Sequence, residues 1–301
     1  MRFGIMAMQL NSLIPPEVQA LPTEKVFAHI LGVDHAGMVR ALVESGFDPI
    51  ELNGDLAILL PHTYSPQALK DLAALKAELG FGYTVHLPLW SVEPSTLNSP
   101  IRQGSVLSLI ESIRTTLPLD PQTYVLHATG ALAAEFYRMR IPEAARKVLM
   151  IQFQNSARES LKKILTETGI DSRKLAIETI EFPLDLTLEL AEEFDLSICF
   201  DTGHVLSGFS GPVDFFDALD LCLPRLGEVH LHDSPDFVRA GILEYGRDHQ
   251  TLGSGDLDLA GLLDRLDIAN FHGPIVFELQ HEQALDSMQL IHQVRPDLVS
   301  N

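Results

Sequence analysis

The feature that most constrains the fold of this chain is a succession of short apolar runs, each followed by a segment with helical spacing. The runs are four to six residues long, which is typical of strands buried on both faces in a parallel sheet. Their limits are 3–6, 49–52, 83–87, 123–127, 174–178, 196–201, 228–232 and 274–278.

The segments between the runs carry apolar residues at intervals of three and four, the spacing of an amphipathic helix. Gly46 and Gly80 directly follow two of these segments, as expected at helix C-termini. The predicted helices cover residues 34–45, 66–79, 104–115, 142–169, 184–194, 214–222, 259–266 and 283–294.

Eight strands that alternate with helices predict an α/β fold in which residues 1–301 form one (β/α)8 TIM barrel domain. No break in composition divides the chain, and 301 residues suit a single barrel. The alternative is a doubly wound open sheet. It is less consistent with the sequence, because no glycine-rich turn follows the first strand.

The charge of the chain argues against nucleic acid as a partner. With 41 Asp and Glu against 21 Lys and Arg, the net charge is -20, which opposes binding to a polyanion. A small-molecule substrate is therefore expected. No apolar run approaches the length of a membrane span, and the first residues begin a strand, so we expect a cytoplasmic protein that binds no membrane. Nothing in the pattern predicts an oligomeric state.

Carboxylates and imidazoles close nearly all of the predicted strands. Active sites of TIM barrels lie at the C-terminal ends of the strands, and a packing role alone would favour Val or Ile there. Nitrogen and oxygen ligands without thiolates suit Zn²⁺ or Mn²⁺. The residues concerned are Glu51, His86, His127, Glu178, Asp201, His230 and Glu278, with His204 and His249 in the loops after strands six and seven.

Four residues have more than one possible role. His232 lies two residues past His230, on the same face of its strand, and is expected to contact substrate; the alternative is that it orients a ligand. His62 and Trp90 form a lid or binding wall, or Trp90 is plain packing. Glu51 either supports an imidazole or anchors a loop.

Several motifs resemble the xylose-isomerase-like superfamily that includes endonuclease IV and the sugar epimerases. They are His86 in the third strand, Asp201-Thr202-Gly203-His204, His230-Leu231-His232-Asp233, Asp248-His249 with Leu252-Gly253-Ser254-Gly255, and Glu278. The resemblance implies that Glu178, Asp201, His230 and Glu278 hold one divalent metal in the epimerase manner, with the two glutamates moving protons. In the endonuclease IV manner, a cluster of three zinc ions also uses the remaining four positions, which are His86, His127, His204 and His249.

This chain departs from the endonuclease pattern at one ligand. Arg247 stands where that branch has an aspartate, and Asp248 sits one residue closer to His249. Whether Asp248 replaces the missing ligand is left open. Segments such as 86–90, 127–130 and 177–182 are also similar to cobamide-remodelling phosphodiesterases, which would imply cleavage of a cobamide nucleotide loop.

The first functional hypothesis is a metal-dependent hydrolase of a phosphoester in a small or medium-sized molecule. It would use two or three Zn²⁺, or Mn²⁺, with Glu178 and Glu278 as catalytic residues. The second is a sugar isomerase or epimerase with one metal ion, which has no need of His86 and His127 as ligands. A binding protein on an inactive barrel is the third, and it would be expected to have lost some of these ligands.

Overall fold

The computed structural model describes residues 1–7, 14, 16–240 and 247–298. Its centre is a closed barrel of eight parallel strands in sequence order, in which β8 pairs with β1. The predicted TIM barrel is therefore confirmed. The strands are β1 Arg2–Met6, β2 Ile50–Asn53, β3 Tyr83–His86, β4 Tyr124–Leu126, β5 Leu175–Glu178, β6 Ser197–Asp201, β7 Leu226–His230 and β8 Pro274–Phe277.

Helices surround the barrel and follow the strands along the chain. Those that begin before β4 are α1 Pro16–Gln19, α2 Thr23–Leu31, α3 His35–Glu44, α4 Gly54–Leu59, α5 Pro66–Leu79 and α6 Ser99–Thr116. The later ones are α7 Ala131–Arg138, α8 Glu143–Thr168, α9 Leu184–Glu193, α10 Thr202–Leu206, α11 Phe215–Cys222, α12 Phe237–Ala240, α13 Leu259–Ile268 and α14 His281–Val294. Short 3-10 segments occur at Pro61–Tyr64, Leu117–Leu119, Ser172–Lys174 and Leu223–Arg225.

Local sequence explains where several helices begin and end. The Ser65 hydroxyl accepts a hydrogen bond from the backbone N–H of Ala68 at the start of α5, and Gly80 ends that helix with a φ of 73°, which favours glycine. Helix α6 begins at Ser99, five residues before the predicted start at 104. Its early start is compatible with Pro100, because a proline in the first helical turn has no intrahelical partner to lose.

Four short helices, α1, α4, α10 and α12, escaped the sequence-based prediction because they contain only four to six residues. A segment of that length is too short to display helical periodicity. Helices α2 and α7 were also not predicted. No single described helix has both the length and the apolar character needed to cross a membrane. Helices α2 and α3 reach that length and apolar character only when they are taken together, and the chain bends by 77° between them.

Three apolar side chains of modest size fill part of the barrel interior below the metal-ligand residues. Val125, Ala176 and Cys199 form a buried cluster of their own, separate from the large core between strands and helices. Because side chains alternate along a strand, Ala176 shares its face with Glu178, and Cys199 shares its face with Asp201. The fold thus directs the acidic strand ends into the barrel mouth.

Candidate metal centre

The side chains at the strand ends converge in one buried group. His86, Glu178, Asp201 and His230 are the last residues of β3, β5, β6 and β7. His127 and Glu278 directly follow β4 and β8. All six residues are at most 9% exposed; Asp201 and His230 are fully buried and Glu178 is 1% exposed.

Glu178 lies at the centre of this group, and its two oxygens face different partners. Oε2 is 2.8 Å from Nε2 of His127 and 3.2 Å from Nε2 of His86. Oε1 is 2.9 Å from Nδ1 of His204 and 3.7 Å from Nδ1 of His230. The two oxygens of Glu178 therefore contact different imidazoles.

Two compact sets of potential ligands share Glu178. The ligand atoms of each set lie within 4.8 Å of one another. The sets are His86, His127 and Glu178 (the outer set), and Glu178, Asp201, His230 and Glu278 (the central set).

Several buried polar atoms in or beside these sets make no hydrogen bond of good geometry among the described residues, however close their neighbours. They are Oε1 of Glu178 and both ring nitrogens of His230, together with Nδ1 of the adjacent His204. Buried polar groups are normally satisfied, so such atoms call for an ion or a water. Carboxylate and imidazole ligands fit Zn²⁺ or Mn²⁺, so the residues present suit the divalent metal that the sequence predicts.

Helix α10 places His204 beside Glu178. The Asp201 Oδ1 accepts a hydrogen bond of 2.7 Å from the backbone N–H of His204 and so caps the helix. Gly203 is required in this turn, because a Cβ there would lie 2.2 Å from the His232 ring. One short helix thereby brings a carboxylate and an imidazole to the same mouth.

Asp248 joins the two loop histidines. Its Oδ2 is 3.3 Å from Nε2 of His204 and 3.0 Å from Nδ1 of His249. The other ring nitrogen of His249, Nε2, is 3.1 Å from Oε2 of Glu278. Despite the shift of one residue, the Asp248 carboxylate contacts both His204 and His249. His204 and His249 also form a compact set with His232.

His232 is enclosed by protein. It is fully buried, and its Nε2 lies 2.9 Å from Oδ2 of Asp201. Its Nδ1 accepts a hydrogen bond of 2.9 Å from the backbone N–H of His249, and the two rings stack with centroids 4.1 Å apart. Both nitrogens are thus engaged, an arrangement that orients Asp201. Of the two roles open for His232, this geometry favours orientation of a ligand.

A cavity of about 480 Å³ opens above the metal centre. Trp90 lines it, as predicted for a binding wall, while remaining 53% exposed. Asp55 holds the Trp90 loop by accepting hydrogen bonds from the backbone N–H groups of Leu89 and Trp90. His62 lies in the 3-10 segment Pro61–Tyr64 and is not among the residues that line the cavity.

Sequence reasoning missed other residues of the cavity wall. They are Met6, Asn53, Asp55, Leu89, Ile180, Leu279, Gln280 and Gln283. Asn53 could have been predicted from the sequence, because it lies two residues past Glu51 and therefore on the same face of β2. Gln280 and Gln283 lie at the start of α14, and no local sequence pattern predicts that this helix end borders the cavity.

Without metal, the pKa values of His86 and His249 lie above that of an ordinary imidazole. Burial opposes the protonation of His86, but the hydrogen bond and charge of Glu178 outweigh it and raise the pKa of His86 to about 9. Burial also opposes protonation of His249, while Asp248 and Glu278 raise its pKa to about 10. These protons stand in for the positive charge that the clustered carboxylates require.

We expect the metal-free protein to lose stability as the pH rises from 6.5 through about 9. A group with a raised pKa in the folded state stabilises the fold while it is protonated, and the stabilisation disappears as that proton is lost. Bound cations replace the protons, so the metal-loaded protein should show little change over this range. Thermal melting of both forms from about pH 6 to 10 measures the effect. Equal pH profiles for the two forms would contradict it.

Comparisons with known proteins place the chain in a broad group. Residues 39–294 match the family described as xylose isomerase-like TIM barrel. The inosose dehydratase of Geobacillus kaustophilus is 26% identical over 282 residues, covering 80% of this chain and 88% of the relative. A D-tagatose 3-epimerase-like protein has a similar structure, with a TM-score of 0.68, 20% identity and coverage of 98% of this chain and 97% of the other. Endonuclease IV from Thermus thermophilus has a TM-score of 0.67, 18% identity and coverage of 99% and 100%. At these identities the two structures establish similarity of fold.

Proposed function

Since the chain belongs to the xylose isomerase-like TIM barrel family, we propose that it is a divalent-metal-dependent hydrolase of a phosphoester in a small or medium-sized molecule. The observation that carries this proposal is the position of Glu178 between the outer and central sets of ligands. One carboxylate shared by two ligand sets is suited to a pair of metal ions rather than to one.

The two histidines of the outer set decide between one metal and two. An isomerase with one metal ion needs only the central set, and His86 and His127 would then have no function. Both instead direct Nε2 at the same oxygen of Glu178. A bound metal pair would polarise the phosphate, lower the pKa of a bound water towards about 7 and stabilise the charge on the leaving oxygen.

The protein residues have separate tasks in this proposal. Glu178 joins the two ligand sets, and His86 and His127 complete the outer one. Glu278 is a ligand or a base: it lines the cavity, and its Oε2 lies 3.1 Å from Nε2 of His249. Asp201 is held in place by His232.

The cavity supports a small or medium-sized substrate. Its volume of about 480 Å³ lies in the usual range for ligand pockets, roughly 300–1,000 Å³. Trp90 offers an exposed apolar wall at its mouth. The net charge of -20 opposes the phosphate contacts on which duplex DNA binding depends. Within this class, the resemblance noted in the sequence makes the cobamide nucleotide loop our specific candidate.

A sugar isomerase or epimerase is the second candidate. The central set of two glutamates, an aspartate and a histidine is sufficient for one metal ion, and a D-tagatose 3-epimerase-like protein shares the fold. In this case Glu178 and Glu278 would exchange a proton at a substrate carbon. The outer set is the feature that this candidate leaves without a function.

Metal stoichiometry separates the two candidates. We expect at least two zinc equivalents per chain, and the loss of one equivalent in His127→Ala, because His127 belongs only to the outer set. The exposed His272 provides the control variant His272→Ala, which should retain the parental content. Elemental analysis of protein purified without chelator makes the measurement. A parental content of one equivalent, unchanged by His127→Ala, would rule out the two-metal centre.

Substrate assays complete the test. With zinc or manganese, an activated aryl phosphodiester should be cleaved slowly. Cobamides should be cleaved much faster if they are the substrate class, because remote contacts can then be used at the transition state. Interconversion of free ketoses without phosphodiesterase activity would favour the epimerase. Tight, salt-sensitive binding and nicking of abasic DNA would favour a repair nuclease.

A further inference from the structure

A further set of buried ionisable side chains adjoins the central set and shares His230 with it. It consists of Glu51 on β2, Glu228 on β7 and His230, whose polar atoms lie within 4.8 Å of one another. All three side chains are fully buried. The hydroxyl of Thr84 donates a hydrogen bond of 3.1 Å to Oε2 of Glu51 and leaves Oε1 for another partner.

We propose that Glu51 is a positioning residue that fixes His230 as a metal ligand through Nδ1. This inference rests on the metal centre of the proposed function. Oε1 of Glu51 lies 3.3 Å from Nε2 of His230. Neither atom makes a hydrogen bond of good geometry among the described residues, and Glu51 is the carboxylate that lies against Nε2. A small rotation of the imidazole ring lets Nε2–H donate and the carboxylate accept.

The opposite nitrogen of His230 faces the central set. Nδ1 is 3.4 Å from Oε1 of Glu278 and 3.7 Å from both Oε1 of Glu178 and Oδ2 of Asp201. These separations leave room for one cation among the four ligand atoms. An Nε2–H bond to Glu51 leaves the lone pair on Nδ1, where the cation needs it.

The burial of this pair gives Glu51 its importance. A metal-bound histidine usually donates its other N–H to a carboxylate, a backbone carbonyl or water, which fixes the ring and increases its basicity. His230 is fully buried, so bulk water cannot replace a lost carboxylate. Glu228 is equally buried, but among the described ion pairs it is Glu51 and not Glu228 that contacts a ring nitrogen of His230, so Glu228 provides a control for the removal of a buried carboxyl group.

The test compares zinc affinities of purified holoprotein variants by competition with a chromophoric chelator. Glu51→Leu should weaken the tightest zinc site about 10- to 100-fold. Glu51→Gln should weaken it less, because its amide oxygen can still accept from Nε2–H. We expect Glu228→Leu, and Cys199→Ala at the neighbouring thiol, to stay within about threefold of the parent. NMR of ring nitrogens in the zinc-loaded parent should show His230 protonated at Nε2.

The outcomes separate this inference from the proposed function. Tight zinc in the parent with unchanged affinity in Glu51→Leu would overturn the positioning role alone, as would an equal loss in Glu228→Leu or Cys199→Ala. If Glu51→Leu and Glu228→Leu each contain one zinc equivalent less than the parent, a cation binds between these two carboxylates. That result would also overturn the positioning role of Glu51. If Glu51→Leu does not fold, Glu51→Gln and Thr84→Val carry the test, and unchanged zinc affinity in both would overturn it. Absence of tight binding of both zinc and manganese in the parent would overturn the proposed function itself.

Discussion

The Glu178→Gln variant should lose at least about 10³-fold in kcat/KM for phosphodiester hydrolysis and lose metal, while the barrel remains folded. Both oxygens of Glu178 face histidines, Oε2 towards His127 and Oε1 towards His204. An amide keeps the shape but supplies only one oxygen and no charge, so it cannot join two cations. Metal catalysis contributes several kcal/mol, and about 1.4 kcal/mol corresponds to a factor of ten.

The control for this variant is Glu192→Gln, which makes the same change at an exposed position of α9. Its activity and metal content should equal those of the parent. Steady-state kinetics and elemental analysis are needed together. Full activity in Glu178→Gln would exclude Glu178 from the chemistry. Lost activity with an undiminished metal content would show that Glu178 acts on the substrate and does not bridge two cations.

Removing metal with a chelator should lower the melting temperature by roughly 10 °C. Glu178, Asp201 and Glu278 are buried within one ligand set, and their mutual repulsion must be offset by cations. A ligand present at about 1,000 times its dissociation constant stabilises a fold by about 4 kcal/mol. For a chain of this size, each kcal/mol corresponds to about 2–4 °C.

The melting temperature should recover when zinc or manganese is added back. Asp201→Asn removes one ligand and one charge, so its melting temperature should respond less to chelator than that of the parent. Calorimetry or dye-based melting with metal analysis of each sample provides the measurement. An unchanged melting temperature after proven metal removal would mean that the three carboxylates are already neutralised by protons.

The fold was predictable from the sequence because its signals are local. A run such as 196–201 is apolar apart from Ser197 until it ends at Asp201, as expected for a strand covered on both faces. Each predicted strand lies within two residues of the observed one. The convergence of Glu178, Asp201 and His230 also followed, because all strands of a parallel barrel end at the same rim.

The details of the centre depend on contacts between residues far apart in the chain. Sequence alone could list His86, His127 and Glu178 as candidates, but only the closed barrel brings both imidazoles to one oxygen of Glu178. The same holds for Glu51 and His230, which are separated along the chain and meet at 3.3 Å.

The sequence by itself thus determined the barrel and the types of side chain at its mouth, since strand periodicity and residue type are properties of short segments. Only the tertiary structure decided which atoms face each other. It left His62 outside the cavity wall, enclosed His232 behind Asp201 and brought Asp248 between His204 and His249. The physical reason is that side-chain partners across a barrel depend on strand register and loop conformation, which no single segment encodes.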